Sequence, residues 1–280
     1  MAVDHHIHMV LDGQFWRSAI ARHAQGVDKA WVHSVLQRYR DLGYTYLRDG
    51  GDKWGVCAYA RQVSGDYGIT YRIPFAPISR AGHYGGFIGV QYDTMKEYAD
   101  LVAKHRASGA DFIKIMISGL MDFDRFGVLT QPGLDREEIR ELIHIAHEEG
   151  FSVMAHANGA RTVETAATAG VDSVEHGAYL DTDALQAMQE AGTVWVPTVS
   201  TIGNLLGKGR FDDTQVQKIL ESALENICQF AKIGGMIAEG TDAGAWAVPH
   251  GCGTERAYLL SAGVAPERLD AASARLQEKF

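Results

Sequence analysis

Asp4-His5-His6-Ile7-His8 packs three histidines and a carboxylate into five residues. On an extended strand alternate side chains leave the same face, so His6 and His8 point one way and Ile7 the other. Two imidazoles on one face can share a metal ion. Asp4 falls on that face too, placed to orient a ligand from behind. An affinity-tag remnant is the plain alternative, but Ile7 and Asp4 interrupt the histidines and Val10-Leu11 continue the strand.

Lys114 is the next reactive candidate. It lies in Asp111-Phe112-Ile113-Lys114-Ile115-Met116-Ile117, an apolar run that reads as a strand buried on both faces. Burial disfavours the ammonium and favours the free amine. A free amine captures carbon dioxide, and the resulting carbamate has two anionic oxygens that can bridge two metal ions. An ion pair with a neighbouring acid is the alternative. His156 and His176 each close a short apolar segment, and Asp242 stands in Glu239-Gly240-Thr241-Asp242-Ala243-Gly244. Asp242 can bind a metal ion and accept a proton from water; a helix N-cap is its ordinary role.

These residues recur where strands end. Short apolar segments alternate with amphipathic ones: helical stripes at 29–42, 55–63, 94–108, 136–149, 162–169, 183–191, 214–233 and 254–278 follow strands near 5–11, 44–47, 69–78, 111–117, 151–155, 171–175, 193–199 and 236–238. That alternation, with the first strand starting at residue 4, predicts a single (β/α)8 TIM barrel, with residues 1–280 as one domain. The C-terminal strand ends of such a barrel converge, so distant residues meet in one pocket. The loop 120–134 is long enough to reach over it. His144 and His147 sit inside a charged helix away from any strand end and read as surface histidines.

The bulk composition fits a soluble protein acting on a small molecule. The chain is 46% hydrophobic with a formal charge of −9, and no basic block points to nucleic acid or an anionic membrane. No apolar run approaches the ~18 residues of a membrane span and no leader pattern opens the chain, so a cytoplasmic protein is expected. Cys57, Cys228 and Cys252 are odd in number and form no CxxC pattern, so they read as ordinary thiols.

Taken together, Asp4-x-His6-x-His8, Lys114, His156, His176 and Asp242 resemble the amidohydrolase superfamily, in its two-metal branch with a carboxylated lysine. Ala155-His156-Ala157, Gly170-Val171-Asp172-Ser173-Val174-Glu175-His176-Gly177, Val196-Pro197-Thr198 and Gly240-Thr241-Asp242-Ala243-Gly244 are similar to the part holding imidazolonepropionases and metal-dependent Xaa-Pro and Xaa-Arg dipeptidases. The resemblance implies two divalent ions, zinc by expectation, with His6, His8 and Asp242 on one, His156 and His176 on the other, and a carbamate from carbon dioxide on Lys114 between them. It further implies an amide hydrolase acting through a metal-activated hydroxide on a dipeptide, an N-acyl amino acid or a cyclic amide, with Asp242 as the proton carrier. His83, His250 and Tyr179 stand where these relatives place substrate contacts. A lactonase or other ester hydrolase with the same centre is the first alternative, and a binding barrel without catalysis the second. Relatives carry an accessory β-sandwich for which these residues leave no room, so the chain is either a compact variant or incomplete, and a compact variant makes a homo-oligomer an expectation. Arg80, Arg125, Arg161 and Arg210, all near loops, are equal candidates to hold a substrate carboxylate.

Overall fold

The computed structural model of the protein describes residues 2–280. In chain order the elements are β1 (Ala2–Ile7), α1 (Trp16–Ala21), α2 (Lys29–Asp41), β2 (Tyr44–Asp49), α3 (Val56–Val63), a 3-10 turn (Ser64–Tyr67), β3 (Thr70–Arg72), β4 (Ile78–Arg80), β5 (Val90–Tyr92), α4 (Met95–Ser108) and β6 (Ile113–Met116). They continue with α5 (Arg136–Glu148), β7 (Val153–Ala157), α6 (Ala160–Thr168), β8 (Ser173–His176), α7 (Thr182–Ala191), β9 (Val194–Val196), α8 (Ser200–Gly203), α9 (Asp213–Lys232), β10 (Met236–Ile237), α10 (Thr254–Ser261) and α11 (Pro266–Lys279).

All strand pairs are parallel, in a three-stranded sheet β1-β2-β3 and a seven-stranded sheet β10-β9-β8-β7-β6-β4-β5. The two sheets are one barrel. On one side His5 N–H donates to Glu239 O at 3.0 Å, Asp242 N–H donates to His6 O at 2.7 Å, and Ile7 bridges Ala243. On the other, the predicted third strand at 69–78 is split: β3 pairs with β2, and β4 pairs with β6. Pro74 and Pro77 lie in the gap and have no N–H to give a neighbouring strand. The carboxylate and backbone of Asp111 take over, accepting from Ile73 N–H at 2.8 Å and donating to Ile73 O at 2.9 Å.

The helices form because each has a buried stripe and a capped start. In α5, Ile139, Leu142, Ile143 and Ala146 are buried, and the N-cap Asp135 carboxylate accepts from Glu137 N–H at 2.9 Å. A capping box of Thr94 and Glu97 opens α4. The predicted continuous helix over 254–278 breaks into α10 and α11. Gly263, with φ 86°, ends one turn, and Pro266 occupies the first turn of the next, where its missing N–H costs nothing. This break redirects the chain. α11 then closes the barrel at the strands' N-terminal ends, burying Leu276 and Phe280 against Phe112, Met154 and Val194. His5, which alternates away from His6, meets this helix, its Nε2 lying 2.7 Å from Ser273 Oγ. No helix among the described residues is long and apolar enough to cross a membrane.

Candidate active site

The opposite end of the barrel holds the polar residues. His6 lies near the end of β1 and His8 just beyond it; Lys114 lies in β6, His156 in β7, His176 at the end of β8, and Asp242 beyond β10. Parallel register sets Met116 beside His156 and Ala157 beside His176. His6 Nε2 lies 3.3 Å from His8 Nε2, and Asp242 Oδ1 lies 3.6 Å from the first and 3.3 Å from the second. The His176 ring centroid stands 5.2 Å from His6 and 4.6 Å from His156. Strand ends that are remote in sequence thus meet around one point, as barrel geometry requires.

This donor set suits a divalent cation. One ligand atom from each of His6, His8 and Asp242 falls within 4.8 Å of the others. Lys114 Nζ and Asp242 Oδ1 are buried with no hydrogen-bond partner among the described residues, an expensive arrangement for groups that hold no ligand. Lys114 therefore does not take the alternative of an ion pair with a neighbouring acid. Burial pulls its ammonium down from 10.5 to about 8, although the Glu175 and Asp242 carboxylates pull the other way. Burial and the adjacent Lys114 hold His8 and His156 at about 3 and keep His6 well below its ordinary value; for His176 burial and His156 act in the same direction. All four imidazoles are neutral near pH 7, the form that binds metal.

Backbone strain marks the same places. His176 (φ 68°), Thr198 (φ 51°) and Asp242 (φ 58°) adopt the left-handed region, which side-chain-bearing residues leave to glycine unless their surroundings hold them. The holding groups are visible. Thr198 Oγ1 is 2.7 Å from His176 Nδ1, leaving Nε2 to face the site. Asp4 binds Thr241 through its N–H at 2.9 Å and its hydroxyl at 2.6 Å. Asp4 thus fixes the turn that presents Asp242. Gly50 packs so tightly that a Cβ there would stand 2.3 Å from His8 Cε1.

Beneath the histidines lies a polar layer that sequence reasoning missed. Glu175, fully buried, accepts from His6 Nδ1 at 2.7 Å, from Arg48 Nη2 at 2.9 Å and from Ser173 Oγ at 2.6 Å. Arg48, also fully buried, further donates to His5 O at 2.7 Å and Ser173 Oγ at 3.0 Å. The carboxylate sets the His6 tautomer, leaving Nε2 for the site. The available signal was Ser173-x-Glu175, a polar pair with strand period two that must face the barrel interior.

A cavity of about 780 Å³ opens above the six residues, walled by Phe15, Trp16, Phe87, Met121, Phe211 and Trp246. The loop 120–134 does reach over it, contributing Leu120 to Phe123 and Thr130. The substrate contacts expected by resemblance are placed differently. His83 does not line the cavity, whereas its neighbour Tyr84 does, its ring 4.9 Å from that of His156. His250 is buried behind the wall, its ring nitrogens 3.1 Å from Tyr39 Oη and 2.9 Å from Leu11 O. Tyr179 stands outside the lining, its ring against Phe126.

The chain is similar in sequence and in fold to known proteins. The chain is 30% identical over 189 residues to an ochratoxinase from Aspergillus niger, an alignment covering 65% of this chain and 38% of that protein. It spans well under half the length of that relative. Among solved structures it superposes on a Xaa-Pro dipeptidase with bound methionine in the active site (TM-score 0.76, 24% identity, 96% of this chain and 72% of that one). The A. niger ochratoxinase structure matches with a TM-score of 0.75 at 22% identity, over 97% of this chain and 68% of that one. The profile of the Amidohydrolase family matches residues 3–263, so the chain belongs to that family.

Proposed function

We propose that the protein is a metal-dependent hydrolase of amide bonds in a small molecule, such as a dipeptide, an N-acyl amino acid or a cyclic amide, with residues 1–280 forming one catalytic barrel. The observation that carries the reading is Lys114: a lysine 1% exposed, with an unpartnered Nζ, among four neutral histidines and a carboxylate. That amine is primed to take up carbon dioxide. His6, His8 and Asp242 would hold one divalent ion, His156 and His176 a second, and carboxylated Lys114 would join them. When bound, two such ions, zinc by preference, lower the pKa of a water and polarise the scissile carbonyl.

The chain's own groups do the rest. Glu175 and Thr198 fix the His6 and His176 rings with Nε2 inward, and the Asp4–Thr241 contacts hold the Asp242 turn. Asp242 Oδ1, buried and without a partner, is placed to take the proton of the attacking water and deliver it to the departing amine. The ochratoxinase and Xaa-Pro dipeptidase names borne by similar proteins support an amide substrate. The test is a panel of dipeptides, N-acyl amino acids, cyclic amides and lactones offered to protein stripped with chelator and reconstituted with zinc and bicarbonate. Amide cleavage that needs both additions supports the proposal. Turnover of lactones alone replaces it with the esterase reading, and turnover of nothing in the panel overturns it.

A further inference from the structure

The loop arginines that sequence alone could not separate are distinct in the fold. Arg80 is paired with Glu138, Arg125 with Asp122, and Arg161 stands away from the cavity. Arg210 lines the cavity, is exposed, and has no carboxylate within ion-pair distance among the described residues. Its guanidinium carbon lies 4.5 Å from the Trp246 ring centroid and 5.2 Å from that of Phe211. The two rings, which stand at 88° to each other, flank the guanidinium, and its N–H groups donate no hydrogen bond among the described residues, so they are free for a fork-to-fork contact with a carboxylate. Arg17 also reaches the cavity, but its platform is Trp16 alone, itself 41% exposed.

Much of the remaining wall is apolar: Phe15, Phe87, Met116, Met121 and Leu205 face the same space. A volume of about 780 Å³ is in the range that encloses a drug-sized ligand, and a dipeptide of small residues would leave much of this wall wet. We propose that Arg210 anchors the free carboxylate of an N-acyl amino acid or dipeptide whose acyl half is a bulky aromatic or branched apolar group. The proposal rests on the amide-hydrolase reading for its substrate class and on Arg210 for its specificity.

The test uses zinc-reconstituted protein with N-benzoyl-L-leucine, its carboxamide N-benzoyl-L-leucinamide, and N-acetylglycine. Arg210→Ala is expected to raise KM for N-benzoyl-L-leucine by about 10–100-fold with kcat within about threefold, to change KM for the carboxamide by less than about threefold, and to be only partly rescued by Arg210→Lys. Wild type should prefer N-benzoyl-L-leucine to N-acetylglycine by about tenfold or more in kcat/KM, and Arg161→Ala should behave as wild type. Equal losses on acid and carboxamide, no preference for the benzoyl compound, or the same effect from Arg17→Ala and not Arg210→Ala would overturn the assignment. Equilibrium binding of N-benzoyl-L-leucine gives a readout that needs no turnover. If no amide is cleaved, about tenfold weaker binding to Arg210→Ala still supports the anchor while the reaction is lost, and equal binding overturns it.

Discussion

Replacing Arg48 with methionine should destabilise the metal-free protein sharply. The guanidinium is 0% exposed and serves Glu175, Ser173 and the His5 carbonyl at 2.9, 3.0 and 2.7 Å. Methionine refills most of the volume, so the cavity contribution is small, but Glu175 loses its cation inside the barrel. Breaking a buried pair from one side costs about 3–5 kcal/mol, whereas removing both charges is often nearly neutral. Arg48→Met should therefore lower Tm by roughly 6–20 °C, and Arg48→Met with Glu175→Gln should recover most of that loss. The double variant keeps an amide oxygen for His6 Nδ1 but no carboxylate, so its zinc affinity should stay about 10–100-fold below wild type even as the fold returns. Thermal unfolding of chelated protein separates stability from metal binding, which would otherwise raise the apparent Tm. A loss below about 1 kcal/mol in Arg48→Met, or a double variant as unstable as the single, would refute the reasoning.

Other perturbations follow from single contacts. Gly50→Ala should push the His8 ring aside, because its Cβ would stand 2.3 Å from Cε1; zinc titration should read a tenfold or greater loss of affinity with Tm of the chelated protein lowered only slightly. Asp242→Asn should abolish turnover, measured in the zinc-loaded protein, while some metal is retained; undiminished activity would remove the residue from its proposed proton transfer. His250 is held by burial at about 4, below the 6.5 of an unfolded histidine, so its share of stability is complete above 6.5 and is lost as pH falls towards 4. One proton is at stake, about 1.4 kcal/mol per pH unit. Metal-free His250→Gln should show an acid limb shallower by about that slope, and parallel curves would count against the buried neutral ring.

Much of the site was legible because its residues obey a rule of barrels, not of local sequence. His6, His8, Lys114, His156, His176 and Asp242 each stand at or beyond a parallel strand, and closure of the sheet brings them together whatever their separation in the chain. Helices stop for an equally direct reason, glycines such as Gly109 and Gly192 taking up the left-handed cap. Arg48 and Glu175 were not. A charge inside a strand reads as solvent-facing unless its partner is known, and these partners lie 127 positions apart. The loop residues are hard to read for another reason. His83 and Tyr84 are adjacent, and which of them lines the cavity depends on loop conformation, here anchored by Tyr84 N–H donating to Gln131 Oε1 at 2.7 Å, a contact no periodicity announces. What Asp4 orients was not legible either, because its partner Thr241 comes from the closing end of the barrel, 237 positions away.

The measurement that bears most directly on the account is metal content per chain. Protein stripped, reconstituted with zinc and bicarbonate, and freed of loose metal should carry two ions per chain by elemental analysis, with ¹³C-labelled bicarbonate giving a carbamate signal. Lys114→Ala should lose that signal and at least one ion. Wild type that retains fewer than one ion per chain, or two ions undiminished in Lys114→Ala, would contradict a centre built around Lys114.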